Sequence, residues 1–116
     1  MVTATGWGFY QDGNPLISKY LRVIDVIVMN QEICRKLYLN IPRESNVCID
    51  GTDGKSTCNG DSGGPLALTD INNGNKWILI GLTSFGAVAG CEKGWPAVFT
   101  RITSYLEWIH FNTGIN

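Results

Sequence analysis

Six short runs rich in β-branched and aromatic residues dominate this chain, at Thr3–Trp7, Tyr20–Val28, Val47–Asp50, Pro65–Thr69, Lys76–Ser84 and Ala97–Ile102. Each is bounded by Gly, Asn, Asp or Pro, residues that favour turns over a continuing strand. Six strands this short point to a barrel or a sandwich. Asn72-Asn73-Gly74-Asn75 lies between two of them and reads as a turn, because Asn and Gly tolerate positive φ.

Two helices are expected among the strands. Asn30 is placed to cap a short one over Gln31–Leu37, and the spacing of Ser104 and Glu107 suits a capping box opening a terminal one. Ile102, Tyr105, Leu106 and Ile109 recur at i, i+3, i+4 and i+7, which predicts one apolar face docked on the strands. No repeat, low-complexity tract or linker divides the 116 residues, so one domain with one core is expected.

Composition narrows the partners. Nine basic against ten acidic residues, with Arg35 and Lys36 the only basic cluster, give no surface for tracking phosphates, and nucleic acid is not an expected partner. The longest apolar runs, such as Trp77–Leu82, fall far short of the roughly 20 residues a membrane helix needs, so a membrane is not an expected partner either. Met1 to Gly6 carries neither a basic nor an apolar leader region, and no signal peptide is read in this chain.

The four cysteines, Cys34, Cys48, Cys58 and Cys91, include no C-x-x-C pair and share the chain with a single histidine, too few suitably spaced ligands for zinc. An even count in a small Gly-rich chain points to two disulfides and an oxidising compartment, although three connectivities remain possible.

The segment Cys58-Asn-Gly-Asp-Ser-Gly-Gly-Pro-Leu66 carries the chemistry. Glycines at 60, 63 and 64 free the backbone around Ser62 and let a carbonyl approach closely, which suits a nucleophile. With no side chain at 60, the amides of Gly60 and Ser62 have room to converge on one oxygen and stabilise the oxyanion of a tetrahedral intermediate.

Gly60-Asp-Ser-Gly-Gly-Pro65 resembles the nucleophile signature of chymotrypsin-like serine endopeptidases, the family of the best-known Ser-His-Asp triad. Thr5-Gly-Trp-Gly8 is similar to the strand entering that family's second barrel, and Thr83-Ser-Phe-Gly86 to its substrate-pairing strand. Trp95-Pro-Ala-Val-Phe-Thr-Arg101 and Tyr105-Leu-Glu-Trp-Ile109 look like its last strand and terminal helix, so the resemblance runs in order along the chain.

The resemblance implies an all-β fold, a six-stranded antiparallel Greek-key barrel with a C-terminal α-helix, corresponding to the second barrel of the two-barrel protease. It implies disulfides Cys34–Cys48 and Cys58–Cys91, and a third family bridge replaced by apolar Val2 and Leu68. Ser62 matches the acyl-forming nucleophile, Gly60 and Ser62 the oxyanion-hole amides, and Asp61 the carboxylate that pairs with a new N-terminal amine on activation. Ser56 matches the floor of the primary specificity pocket, and a neutral floor implies chymotrypsin-like preference for apolar side chains over Lys or Arg. Ala97 stands where a wall glycine is usual and is expected to narrow that pocket, favouring leucine or smaller residues over the largest aromatics. Ser84, Phe85 and Gly86 match the strand that pairs with substrate backbone.

A serine hydroxyl is a weak nucleophile without a base in reach and a group to orient it. In the family both come from the preceding barrel. The one histidine, His110, falls on the terminal helix and reads as a helix-end residue, where a cation complements the helix dipole. The chain is therefore expected to be the C-terminal half of a secreted protease whose signal, activation segment and first barrel precede Met1, and to be inactive alone, with exposed apolar surface. Its partners would be a polypeptide substrate and that missing barrel, and the chemistry needs no metal or organic cofactor. Two other readings compete. A G-x-S-x-G elbow with Asp70 and His110 would make an α/β-hydrolase, but that elbow needs a helix directly after the serine, where Pro65–Thr69 reads as strand. A free-standing, non-catalytic peptide-binding module is the alternative within the same fold.

Overall fold

The computed structural model describes residues 1–115. Strands β1 (Val2–Gly6), β2 (Arg22–Val26), β3 (Asn46–Ile49), β4 (Pro65–Asp70), β5 (Lys76–Phe85) and β6 (Ala97–Arg101) form a six-stranded sheet in the order β2-β1-β4-β5-β6-β3, every neighbour antiparallel. The two outer strands meet where the chain leaving β2 bridges β3 at Val28 and Ile49. Met29 N–H donates to Cys48 O and Asp50 N–H to Ile27 O, both at 2.8 Å, and these bonds close the sheet on itself. Closure removes the unpaired edges that an open sheet would expose. The Greek-key barrel implied by the resemblance is the observed fold.

Alternation along the strands turns Val2, Ala4, Val26, Val47, Ile49, Leu66, Ala97 and Phe99 into a common core. Leu68 packs against the same cluster as Val2, so the two apolar residues standing for the absent third bridge fill shared space. Cys34 and Cys48 are joined, as are Cys58 and Cys91, in the pairing the resemblance implies. The first bridge ties α1 (Gln31–Leu37) to β3, and Asn30 caps that helix by accepting the Ile33 amide at 3.2 Å.

Strand boundaries shift where local bonds compete. The run expected over Tyr20–Val28 is strand only from Arg22, because Ser18 draws the preceding residues into a turn, its hydroxyl donating to Tyr20 O at 2.6 Å and accepting from Arg22 Nε at 3.1 Å. The terminal helix α2 (Leu106–Thr113) begins two residues beyond the expected cap, after a 3-10 turn over Ile102–Tyr105, and no side chain caps it. Docking is also less extensive than its periodicity predicts: Ile102 and Ile109 are half-buried, whereas Tyr105 and Leu106 are exposed. Trp108 and Phe111 stand 65% and 88% exposed. The chief contact with the sheet is made by the preceding 3-10 turn, against β5, and periodicity alone does not say what the apolar side chains of the helix face.

Candidate active site

Ser62 is exposed on a tight turn between the Cys58–Cys91 bridge and β4. Within that turn Asp61 N–H donates to Cys58 O at 3.0 Å and Gly64 N–H to Asp61 O at 2.9 Å. Two more bonds fasten it to β5, from Gly63 N–H to Thr83 O and from Thr83 N–H to Gly64 O, each at 2.9 Å. The amides of Gly60 and Ser62 take part in none of these bonds and have no protein acceptor among the described residues. Gly60 adopts φ +96°, which favours glycine, and a Cβ there would crowd Gly8 Cα at 3.0 Å.

The side chain of Asp61 turns away from Ser62, under the turn. Its Oδ1 accepts the Gly8 amide at 2.8 Å and its Oδ2 the Cys58 amide at 2.9 Å. A Cβ at Gly6 would sit 2.0 Å from Asp61 Oδ1, and one at Gly8 2.6 Å from its Cγ. The Thr5-Gly-Trp-Gly8 segment, read in the sequence as a strand entrance, is thus also the cradle of this carboxylate. Beside it opens a cavity of about 200 Å3 bordered by Gly6, Gly8, Arg22, Lys55 and Asp61.

A second, smaller cavity of about 80 Å3 lies on the Ser62 side. Ser56, Ser62, Ser84, Phe85 and Gly86 all line it, together with Trp95 and Pro96, and no lining residue carries a charge. A bulge shapes its rim: Thr83 pairs with Phe99 and Phe85 with Val98, which leaves Ser84 as the extra residue. Bulges re-aim side chains and interrupt pairing beside functional sites. On its other side β5 pairs with β4 only as far as Leu82, so the backbone from Ser84 to Gly86 is open along that edge among the described residues.

Ala97 is not among the residues that line this cavity, although its neighbours Trp95 and Pro96 are. It is fully buried in the main core opposite Ile49. His110 sits on exposed α2, its Nδ1 3.2 Å from Ile115 O. Asp70 caps the 3-10 turn that follows β4 by accepting the Asn72 amide at 3.0 Å. With β4 directly after Ser62, the hydrolase-elbow reading fails.

Two residues near the cavity carry no sequence signal. Tyr38, just past α1, donates its hydroxyl to Pro96 O and stacks edge-on against Phe85 at 5.7 Å and tilted against Trp95 at the same distance. Burial pushes its phenol pKa up. Asp12 accepts the amides of Cys91 and Glu92, and these two bonds hold its carboxyl below the ordinary range, with Lys93 adding to the effect. Neither belongs to a motif, and both contacts span more than fifty residues of sequence.

The comparisons with known proteins agree with this geometry. The Trypsin family model matches residues 1–109. Brachyurin of Leptuca pugilator is 50% identical over 115 residues, covering 99% of this chain and 47% of its own length. Serine protease 1 of Drosophila melanogaster is 48% identical over 113 residues, and Collagenase of Hypoderma lineatum 42% over 113, each covering 97% of this chain and 40% of the relative. A collagenase structure at 1.7 Å resolution superposes with a TM-score of 0.79 at 41% identity, over 99% of this chain and 46% of that one. The chain spans about half the length of the relatives it matches. By family model, sequence identity and fold, this chain belongs to the trypsin family of serine endopeptidases.

Proposed function

We propose that the chain supplies the nucleophile half of a secreted serine endopeptidase, in which Ser62 forms the acyl-enzyme and a preceding barrel provides the general base and its orienting carboxylate. The observation that carries this reading is the Ser62 turn itself: an exposed hydroxyl, two uncommitted amides at Gly60 and Ser62, and an uncharged cavity on one rigid frame. The amides form the oxyanion hole, where donors fixed before reaction stabilise developing charge without reorganising. Ser84 to Gly86 receives the substrate backbone as an antiparallel strand along the open edge of β5. Ser56 and the aromatic walls accept an apolar side chain, giving chymotrypsin-like and not trypsin-like preference.

In this reading Asp61 awaits the α-amine of an activated N-terminus, and its two backbone donors hold the carboxylate until that amine arrives. The two disulfides support an oxidising, extracellular setting, and among the described residues no helix is long and apolar enough to cross a membrane. Alone, the 116-residue chain has negligible turnover, because the oxyanion hole and binding retain only a small part of triad catalysis.

The test is to capture the native protein from its source with an antibody to the α2 segment, measure its intact mass, and treat it with a fluorophosphonate. A mass near twice 12.7 kDa, with label on Ser62, is the expected result. A native mass of 12.7 kDa with Ser62 unlabelled favours instead a non-catalytic peptide-binding module, for which the placement of the only histidine on α2 is the supporting observation.

A further inference from the structure

The loop from Gly86 to Trp95 walls the small cavity, yet it leaves the sheet after β5 and contains no regular structure until β6. One covalent anchor holds it, the bond from Cys91 to Cys58. Its second anchor comes from the far end of the sequence. Asp12, in the β1–β2 connection, accepts the Cys91 amide on Oδ1 at 2.8 Å and the Glu92 amide on Oδ2 at 3.0 Å. Its own amide donates to the Glu92 side-chain carboxylate, closing a ring between two loops 80 residues apart. Gly90 completes the fit: it adopts φ +139°, and a Cβ there would lie 2.6 Å from Asp12 Oδ2 and 3.0 Å from Lys93 Cγ.

Two adjacent amides converging on one side chain need an acceptor for each donor, which the two carboxylate oxygens supply with the added strength of a charge-assisted bond. Asn at this position keeps one acceptor and presents an NH2 to the other amide, and Ala removes both. Because Gly90 and Cys91 also line the cavity, loss of the grip changes the shape of the wall as well as the order of the loop.

We propose that Asp12 is a positioning residue for side-chain selection: by gripping Cys91 and Glu92 it fixes the wall against which a bound peptide's apolar side chain packs. This rests on the peptide-site reading of the cavity, and it adds a selectivity determinant outside every motif of the chain. Asp12 touches no substrate and acts only through the loop.

The test uses the disulfide-bonded 116-residue chain at low concentration, titrated by fluorescence anisotropy with two labelled tripeptide amides, Ala-Ala-Leu and Ala-Ala-Gly. Hydrogen exchange over residues 86–95 is followed in parallel. In Asp12→Asn the preference for the leucyl over the glycyl peptide falls by about fivefold to tenfold, as expected for losing a charge-assisted bond, with glycyl affinity unchanged. Gly90→Ala, which crowds Asp12 from the other side, gives the same loss of preference, and the loop exchanges faster in both variants. An unchanged preference in both folded variants overturns the proposal, and so does an equal loss for both peptides, which would make Asp12 merely structural. If neither the wild-type chain nor the native protein captured with the α2 antibody binds either peptide, the peptide-site reading fails on its own account. Exchange over 86–95 then still judges the grip, and unchanged rates in Asp12→Asn overturn it.

Discussion

Gly8 is the residue at which sequence, space and chemistry meet most tightly. Its amide donates to Asp61, and a methyl there would lie within 2.7 Å of both the Asp61 carboxylate and Asn59 O. Gly8→Ala should therefore destabilise the chain by about 2 to 3 kcal/mol, the range for overpacking beside a bonded carboxylate. Gly13→Ala is the contrast, since that position has positive φ but no neighbour within 4 Å, and it should cost only about 1 kcal/mol. Urea midpoints of the two variants decide the point. Tyr38 offers a second check: desolvation of its half-buried phenol raises the pKa from 10.0, so an alkaline absorbance titration should show a phenol that ionises above the ordinary tyrosine value and is lost in Tyr38→Phe. Because the folded pKa is the higher, the stability linked to this group is complete below the unfolded value and declines as pH rises toward the folded one. Tyr38→Phe removes that pH dependence and leaves Pro96 O without its donor.

At the scale of elements, the cavity is a set of loops held by a few bonds on a rigid barrel. Removing the Cys58–Cys91 bridge by a double Ala substitution should cost about 3 to 4 kcal/mol, from the entropy of a loop with a sequence separation of 33. The loss would be read as a lower thermal midpoint, with hydrogen exchange rising first over residues 86–95. Acid acts on the same loops. Asp12 is held by the Cys91 and Glu92 amides and Asp50 by the Thr52 amide and side chain, so both carboxyls have depressed pKa values. Their contribution is complete above the ordinary value of 3.8 and fades as pH falls through the lowered folded values. Exchange over 50–56 and 86–95 should rise below that pH while the β1–β4–β5 core stays protected. A core that opens together with the loops would refute this division.

At the scale of the whole molecule, the barrel is closed while its terminal helix is left largely uncovered. Leu106, Trp108 and Phe111 are all more than half exposed, as is Trp77 at the start of β5. Trp108→Ser and Phe111→Ser should each change the stability of the 116-residue chain by no more than about 0.5 kcal/mol, because neither side chain is buried. They should instead reduce its self-association in sedimentation experiments, since uncovered apolar surface drives association. If the preceding barrel of our proposal covers this face, the same substitutions should lower the thermal midpoint of the longer protein. Equal behaviour in both settings would remove the helix from that interface.

Much of this arrangement was legible in the residues alone, because it depends on local rules. Six alternating runs bounded by turn residues specify an antiparallel all-β chain, Asn30 caps its helix, and glycines around Ser62 mark a turn built for close approach. The family signature added the disulfide pairing, which four cysteines by themselves leave open. Competition between bonds and packing decided the rest. Ser18 shortened β2, the 3-10 turn displaced the cap expected at Ser104, and Ala97 packs into the main core. Only the closed barrel brings Asp12 to Cys91, Tyr38 to Pro96 and Gly8 to Asp61, pairs more than fifty residues apart. Sequence determines what each segment prefers; long-range contacts depend on how strands curve and close, and no local preference encodes that.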